Sequence, residues 1–82
     1  MRRYYFDIRD GDDLAPDDEG LELGTMERVQ EEAARSLADM ARDAARREWQ
    51  NGKAQEMAIE VRDDEGPIMQ LKFTFDVTRL RQ

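Results

Sequence analysis

The chain has 82 residues, of which 20 are Asp or Glu and 13 are Lys or Arg, so its formal net charge is −7. It contains no His and no Cys. These counts exclude an imidazole base, a His metal ligand, a disulfide, a thiolate nucleophile and a zinc–cysteine site. The length predicts one domain covering residues 1–82. The acidity disfavours binding to nucleic acid or to anionic membrane surfaces.

The start of the chain does not have the pattern of a targeting segment. Two positive charges, Arg2 and Arg3, are followed by no apolar run of signal-peptide length. No stretch of the sequence approaches the apolar length of a transmembrane helix. Together with the lack of Cys, this pattern predicts a cytoplasmic protein without a membrane partner.

The first segment predicts a half-buried strand, because aromatic and β-branched side chains alternate with polar ones from Arg3 to Arg9. The set expected to face the core is Tyr4, Phe6 and Ile8. Residues 10–20 are predicted to form a loop, since six of them are acidic and Pro16 opposes regular structure. Leu21 to Leu23 offers a second, very short strand.

A long amphipathic helix is predicted from Met26 to about Gln50. Thr25 precedes it as a suitable N-cap, and Asn51-Gly52 is a typical helix end. Trp49 is expected to cover the end of the core. The apolar stripe of the helix consists of Met26, Val29, Ala33, Leu37, Met40, Ala41 and Ala44. Because this stripe is rich in Ala, the helix can approach the opposing layer closely.

Two more alternating segments follow, Glu56 to Arg62 and a last strand from Pro67 to about Thr78 or Leu80. Asp63 to Gly66 is predicted to be the hairpin turn between them. One helix can cover one face of a four-stranded sheet, so the predicted fold is a two-layer, mainly antiparallel α+β domain of order β-β-α-β-β. The expected strand order is 2-1-3-4. The residues of these strands expected to face the core are Met57, Ile59, Val61, Met69, Leu71, Phe73, Phe75 and Val77.

The segment Arg3-Tyr4-Tyr5-Phe6-Asp7-Ile8-Arg9-Asp10-Gly11-Asp12 resembles the opening of a family of short bacterial proteins catalogued only as a domain of unknown function. The resemblance continues through residues 17–23, 37–41, 61–63 and 66–67 and through the apolar tail up to Leu80, so it spans nearly the whole chain. Gly24-Thr25 departs from the Pro-Asp helix start expected of the family. No activity, ligand or catalytic residue is established for the family. The resemblance therefore implies a small domain complete in itself, without a particular functional site.

The acidic loop is the most concentrated candidate site, since carboxylates are ligands that Ca²⁺ and Mg²⁺ prefer. The candidate ligands are Asp10, Asp12, Asp17, Asp18 and Glu19. Counted from Asp10, the fifth and twelfth positions are Leu14 and Leu21, so the spacing fails the EF-hand pattern. A solvated turn in which Asp side chains cap backbone N–H groups is the favoured interpretation. We therefore expect no metal ion and no cofactor.

The face of the sheet opposite the helix is the second candidate site. It is predicted to display polar side chains and one aromatic, Tyr5. Exposure to water is the ordinary condition of such a face, whereas Tyr and Arg are enriched at the centres of protein interfaces. The predicted interaction surface consists of Arg3, Tyr5, Arg62 and Lys72. A protein partner or a second copy of the chain could bind this face or a sheet edge.

The sequence thus favours a non-enzymatic protein-interaction or regulatory module, because it lacks the residue sets that catalysis needs. Two alternatives remain: a cation- or small-ligand-binding protein that uses loop 10–20, and an acidic inhibitor of a basic partner. The charge is unevenly distributed, with six acids in residues 10–20 and three in residues 63–65. The rest of the chain carries a charge of +2, so its body is nearly neutral and its turns are acidic.

Overall fold

The fold consists of five strands and one helix in the part of the chain that the structure describes. The structure is a computed structural model and describes residues 1–46 and 55–81. In chain order the elements are β1 (Arg2–Asp10), β2 (Asp13–Ala15), β3 (Leu21–Leu23), α1 (Met26–Arg46), β4 (Gln55–Asp63) and β5 (Gly66–Phe75).

The strands form an antiparallel sheet of order β2-β1-β4-β5, and β3 also pairs with β1. The predicted α+β class and the order of the four expected strands are confirmed. Strand β2 is a fifth strand and corrects the prediction that residues 10–20 form only a loop. Gly11 has φ 63°, which lets the chain reverse between Asp10 and Asp13. The residues of β2, Asp-Leu-Ala, are all exposed and do not alternate as Leu-Glu-Leu of β3 does, so the sequence pattern does not reveal this strand.

Strands β2 and β3 pair with opposite ends of β1. Residues 8–10 of β1 pair with β2, and residues 2–4 pair with β3. Residues 5–7 of β1 lie between these two ladders and pair with β4 alone. The segment that connects β2 to β3, residues 16–20, is called loop 16–20 below.

Helix α1 begins as the sequence predicts. The Oγ1 atom of Thr25 accepts a hydrogen bond from the backbone N–H of Arg28 at 3.2 Å, which caps the first turn. Its buried residues are Val29, Ala33, Leu37 and Ala44, and they pack toward β3, β4 and β5. The predicted helix end at Gln50, the cap at Asn51-Gly52 and the predicted position of Trp49 lie outside the described residues.

The core is centred on β4, whose Met57, Ile59 and Val61 are fully buried. Ile8 and Phe73 are each 37 % exposed, so the prediction that they lie inside the core is wrong. A helix about 10 Å wide covers only about two strands spaced ~4.8 Å apart. Apolar side chains on the flanking strands β1 and β5 therefore remain partly open to solvent.

The hairpin predicted at Asp63 to Gly66 is confirmed. The Oδ1 atom of Asp63 accepts a hydrogen bond from the backbone N–H of Glu65 at 2.9 Å, and its Oδ2 atom pairs with Arg2 at 2.9 Å. Strand β5 ends at Phe75, so the prediction that it continues to Thr78 or Leu80 is wrong. Phe75 pairs with Gln55, and no described strand residue is available to pair with residues beyond it.

Candidate functional site

The face of the sheet opposite α1 is called the open face. The strand register places Tyr5 opposite Arg62, Asp7 opposite Glu60, and Arg9 opposite Ala58. The adjoining residues of β5 are Gln70, Lys72 and Thr74. Tyr5, Arg62 and Lys72 of the predicted interaction surface lie on this face, and the structure adds the contacts between its residues.

An ion pair and a stacked aromatic ring occupy the β1 side of the open face. The Nε atom of Arg62 lies 2.9 Å from Oδ2 of Asp7, and the Arg62 guanidinium carbon lies 4.5 Å from the centre of the Tyr5 ring. Asp7 is only 9 % exposed. The hydrogen bond from Arg62 to Asp7 holds the pKa of Arg62 above its ordinary value. Tyr5 is therefore covered by Arg62 and is only half-exposed.

Loop 16–20 folds onto this same end of the face. The backbone N–H of Asp17 donates to Oδ1 of Asp7 at 2.8 Å, and the Nη2 atom of Arg62 donates to the carbonyl oxygen of Asp17 at 2.9 Å. Gly20 adopts φ 75°, and a Cβ atom there would lie 2.9 Å from Cγ of Arg3 and 3.0 Å from Cε1 of Tyr5. Glycine therefore permits close contact between the loop and the sheet.

The Asp17 carboxylate ties the loop to β1 and also organises the loop itself. It accepts hydrogen bonds from the backbone N–H groups of Phe6 at 3.1 Å, Glu19 at 3.1 Å and Gly20 at 3.2 Å. Burial alone would raise the pKa of Asp17, but these hydrogen bonds and the charge of Arg62 together lower it. The interpretation that an Asp side chain in the loop caps backbone groups is confirmed at Asp17.

The candidate metal ligands of loop 10–20 are not brought together. Asp17 is occupied as described, Asp10 accepts a hydrogen bond from Nε2 of Gln55 at 2.6 Å, and Asp12, Asp18 and Glu19 are exposed. Within residues 1–46 and 55–81, no group of three or more acidic side chains is arranged to hold a metal ion. The acidic residues that have partners here bind the chain's own backbone and side chains.

Three of the four residues of the predicted interaction surface have partners within the domain. Arg3 donates to the carbonyl oxygen of Glu19 at 2.7 Å and pairs with Glu22 at 3.0 Å. Tyr5 and Arg62 belong to the cluster described above. Among the cations of the open face, Lys72 alone has no ion pair with a described residue, and it is exposed.

Lys72 borders a shallow depression near the other end of the open face. Its floor is Ala58, whose small side chain lies between Arg9 on β1 and Lys72 on β5. The rest of the lining comes from Gly11, Glu56, Met57, Gln70, Phe73 and Thr74. The Nε atom of Arg9 forms an ion pair with Oε2 of Glu60 at 2.7 Å, so the Lys72 ammonium is the cation available to an incoming group.

The backbone groups of β5 point alternately toward β4 and away from it. The backbone N–H of Gly11 donates to the carbonyl oxygen of Glu56 at 2.9 Å, so the polar groups of Glu56 point toward β1. Successive residues of an antiparallel strand point their polar groups to opposite sides, so those of Met57 point toward β5. The register places Phe73 opposite Met57, so the backbone N–H and C=O groups of Phe73 point toward β4.

The same alternation directs the backbone N–H and C=O groups of Gln70, Lys72 and Thr74 away from β4. No strand within the described ranges pairs with this side of β5. Strand β5 is ten residues long, so it presents a longer free edge than the three-residue strands at the other side of the sheet. An edge of this length is a template for pairing with another extended segment.

These features define a two-layer α+β domain in which loop 16–20 covers one end of the open face, and the outer edge of β5 pairs with no strand of the described residues. Residues 3–74 match the family described as a domain of unknown function (DUF6894), and the chain belongs to that family. The resemblance predicted from the sequence is thereby confirmed. No curated protein and no solved structure matches the chain. In the described part of the chain, no helix is long and apolar enough to cross a membrane.

Proposed function

We propose that this chain is a non-enzymatic protein-interaction module that binds an extended protein segment along the outer edge of β5, the edge that pairs with no described strand. The observation that carries the proposal is the ten-residue edge strand, with the polar backbone groups of Gln70, Lys72 and Thr74 directed outward. Strand addition to such an edge is a common mode of peptide recognition, in which backbone hydrogen bonds supply affinity and neighbouring side chains supply specificity.

The depression beside the edge supports the same function. A segment paired with β5 would place alternate side chains over the open face, next to Lys72 and the Ala58 floor. An acidic or hydrogen-bonding side chain fits there, because the Lys72 ammonium has no ion pair with a described residue. The end of the open face that holds Tyr5 is less suitable, since Arg62 and loop 16–20 already cover this residue.

Two carboxylates of the domain, Glu60 and Asp17, are poorly suited to acid–base catalysis at neutral pH. A general acid or base works best when its pKa lies near the working pH. The hydrogen bond from Arg9 lowers the pKa of Glu60, and the pKa of Asp17 is also lowered. Cation binding by loop 10–20 has less support than strand addition, because the Asp17 carboxylate already accepts three backbone N–H groups.

Affinity capture with matched variants tests the proposal. Thr74→Pro removes an outward N–H without removing a hydrogen bond to β4, and Gln30→Ala changes an exposed residue of α1 as the control. The wild type and Gln30→Ala should capture the same proteins from a lysate of the source cells, and Thr74→Pro should lose them. Capture of the same proteins by all three chains would contradict binding at this edge.

A further inference from the structure

We propose that the segment paired with the β5 edge is β5 of a second copy of this chain, related by a two-fold axis at Thr74. The inference rests on the proposed function, because it uses the same edge and names its occupant. In this arrangement the two sheets join into one continuous antiparallel sheet, with both helices on the same side. The Thr74 residues of the two copies exchange their backbone N–H···O=C hydrogen bonds at the axis.

The sequence around Thr74 is complementary to itself when it is read in opposite directions. Moving outward from Thr74, the residue pairs are Phe73 and Phe75, then Lys72 and Asp76, then Leu71 and Val77. A two-fold contact requires that each residue of a pair fits the other, because residue i of one copy meets residue j of its partner and j meets i. Residues 71–77 meet this requirement at every position.

The two charges fix the register. Lys72 and Asp76 are both exposed, and neither has an ion pair with a described residue. An axis at Thr74 places Lys72 opposite Asp76 of the second copy, twice in each dimer. An axis at Lys72 would instead place two ammonium groups opposite each other, which destabilises an antiparallel pair.

Aromatic side chains on the other side of the strand favour the same register. Phe73 and Phe75 lie 6.1 Å apart between ring centres within the chain, and Phe73 is 37 % exposed. The axis at Thr74 places Phe73 opposite Phe75 of the second copy on the helix side of the sheet. Cross-strand aromatic pairs stabilise antiparallel sheets. Pairing would also extend β5 from Phe75 through Val77, since Asp76 and Val77 have no partner strand among the described residues.

Disulfide trapping tests the register directly, because the chain contains no Cys. The Thr74 Cα atoms of the two copies would lie about 5.5 Å apart, within the range that a disulfide can bridge. The Gln70 Cα atoms would lie about 27 Å apart along the strands. Under oxidation, Thr74→Cys should form a covalent dimer, whereas Gln70→Cys should form no disulfide between the two copies. Equal cross-linking of the two variants would overturn this register.

Charge exchange gives a second measurement by sedimentation equilibrium. Lys72→Glu and Asp76→Lys should each weaken dimerisation about tenfold or more, because each places like charges opposite each other twice. The double variant should dimerise as the wild type does, and failure of this restoration would overturn the proposal. A wild-type chain that stays monomeric at millimolar concentration would also overturn it. If the wild type is monomeric but Thr74→Pro no longer captures the proteins that the wild type captures, binding at the β5 edge is retained and only the dimer is excluded. If Thr74→Pro captures them unchanged, both proposals are contradicted.

Discussion

The carboxylate of Asp17 takes the place of a strand partner for the backbone of Phe6. Its Oδ2 atom accepts the Phe6 N–H at 3.1 Å, in the stretch of β1 that lies between the ladders formed with β2 and β3. Its Oδ1 atom also accepts hydrogen bonds from the backbone N–H groups of Glu19 and Gly20 in the loop. One side chain therefore satisfies a sheet amide that would otherwise lack a partner and shapes the loop that covers it.

Asp17→Ala should lower the free energy of unfolding by about 1–3 kcal/mol, since it removes a charged acceptor shared by three backbone N–H groups. Asp18→Ala is the matched control, because Asp18 is exposed and the change should stay within about 0.5 kcal/mol. Urea denaturation followed by circular dichroism measures both. Equal losses for the two variants would mean that Asp17 does not hold the loop.

The free energy of unfolding of the wild type should fall more steeply in acid than that of Asp17→Asn. The folded chain lowers the pKa of Asp17 below its ordinary value of 3.8, so folding favours the ionised carboxylate. Its contribution is complete above that value and disappears as the pH falls through the folded pKa. The difference in urea midpoint between the wild type and Asp17→Asn should therefore be smaller at about pH 3 than at about pH 6. A constant difference at both pH values would contradict this assignment.

Gly20→Ala should destabilise the domain more than Gly11→Ala. Both glycines have positive φ, 75° and 63°, so each substitution incurs about 1–2 kcal/mol of backbone strain. A Cβ atom at Gly20 would also meet Arg3, Tyr5 and the Tyr4 carbonyl oxygen within 3.1 Å, whereas nothing lies within 4 Å at Gly11. Thermal unfolding of the two variants should show a clearly lower midpoint for Gly20→Ala. Equal midpoints would indicate that loop 16–20 does not pack on the sheet.

The ion pair between Asp7 and Arg62 should show a larger coupling free energy than the helix pair Asp39–Arg42. Asp7 is nearly buried and also accepts the N–H of Asp17, whereas Asp39 and Arg42 are exposed and 3.4 Å apart. Exposed pairs contribute little because water and salt screen them. Double-mutant cycles with Ala at each position, measured by urea denaturation, compare the two pairs. A coupling free energy at Asp7–Arg62 no larger than that at Asp39–Arg42 would contradict this prediction.

Local periodicity predicted most of the fold. Alternation located β1, β4 and β5, the 3.6-residue spacing and Thr25 located the start of α1, and Asp63 to Gly66 located the hairpin. These features depend on residues close in sequence. The pattern does not reveal β2, because its residues Asp-Leu-Ala are all exposed and do not alternate, unlike the equally short Leu-Glu-Leu of β3. It also does not predict the end of β5, because pairing with Gln55 sets that end.

The candidate surface was less predictable, because its contacts join distant segments. The pattern placed Tyr5 and Arg62 correctly on the open face, but it gave no sign that loop 16–20 would cover that end. The contacts of Asp17 with Phe6 and Asp7 bridge residues ten or eleven positions apart, which no helical or strand period encodes. Asp17 begins an Asp-Asp-Glu-Gly run that recurs at Asp63, and in both runs the first Asp accepts the backbone N–H of the Glu two residues later. This Asx-turn signal predicts the local turn, but it does not distinguish Asp17 from Asp63 or predict the contact with Phe6.

Proline substitutions on β5 should alternate in their cost, because backbone groups of alternate residues face β4. Thr74→Pro removes an outward N–H and should cost no more than about 1 kcal/mol relative to Thr74→Ala. Phe73→Pro removes a hydrogen bond to β4 and should cost about 3 kcal/mol or more relative to Phe73→Ala. The Ala variants separate the loss of each side chain from the effect on the backbone. Urea denaturation at low protein concentration, where association does not contribute, measures all four. Similar costs at the two positions would contradict the strand orientation on which binding at the β5 edge depends.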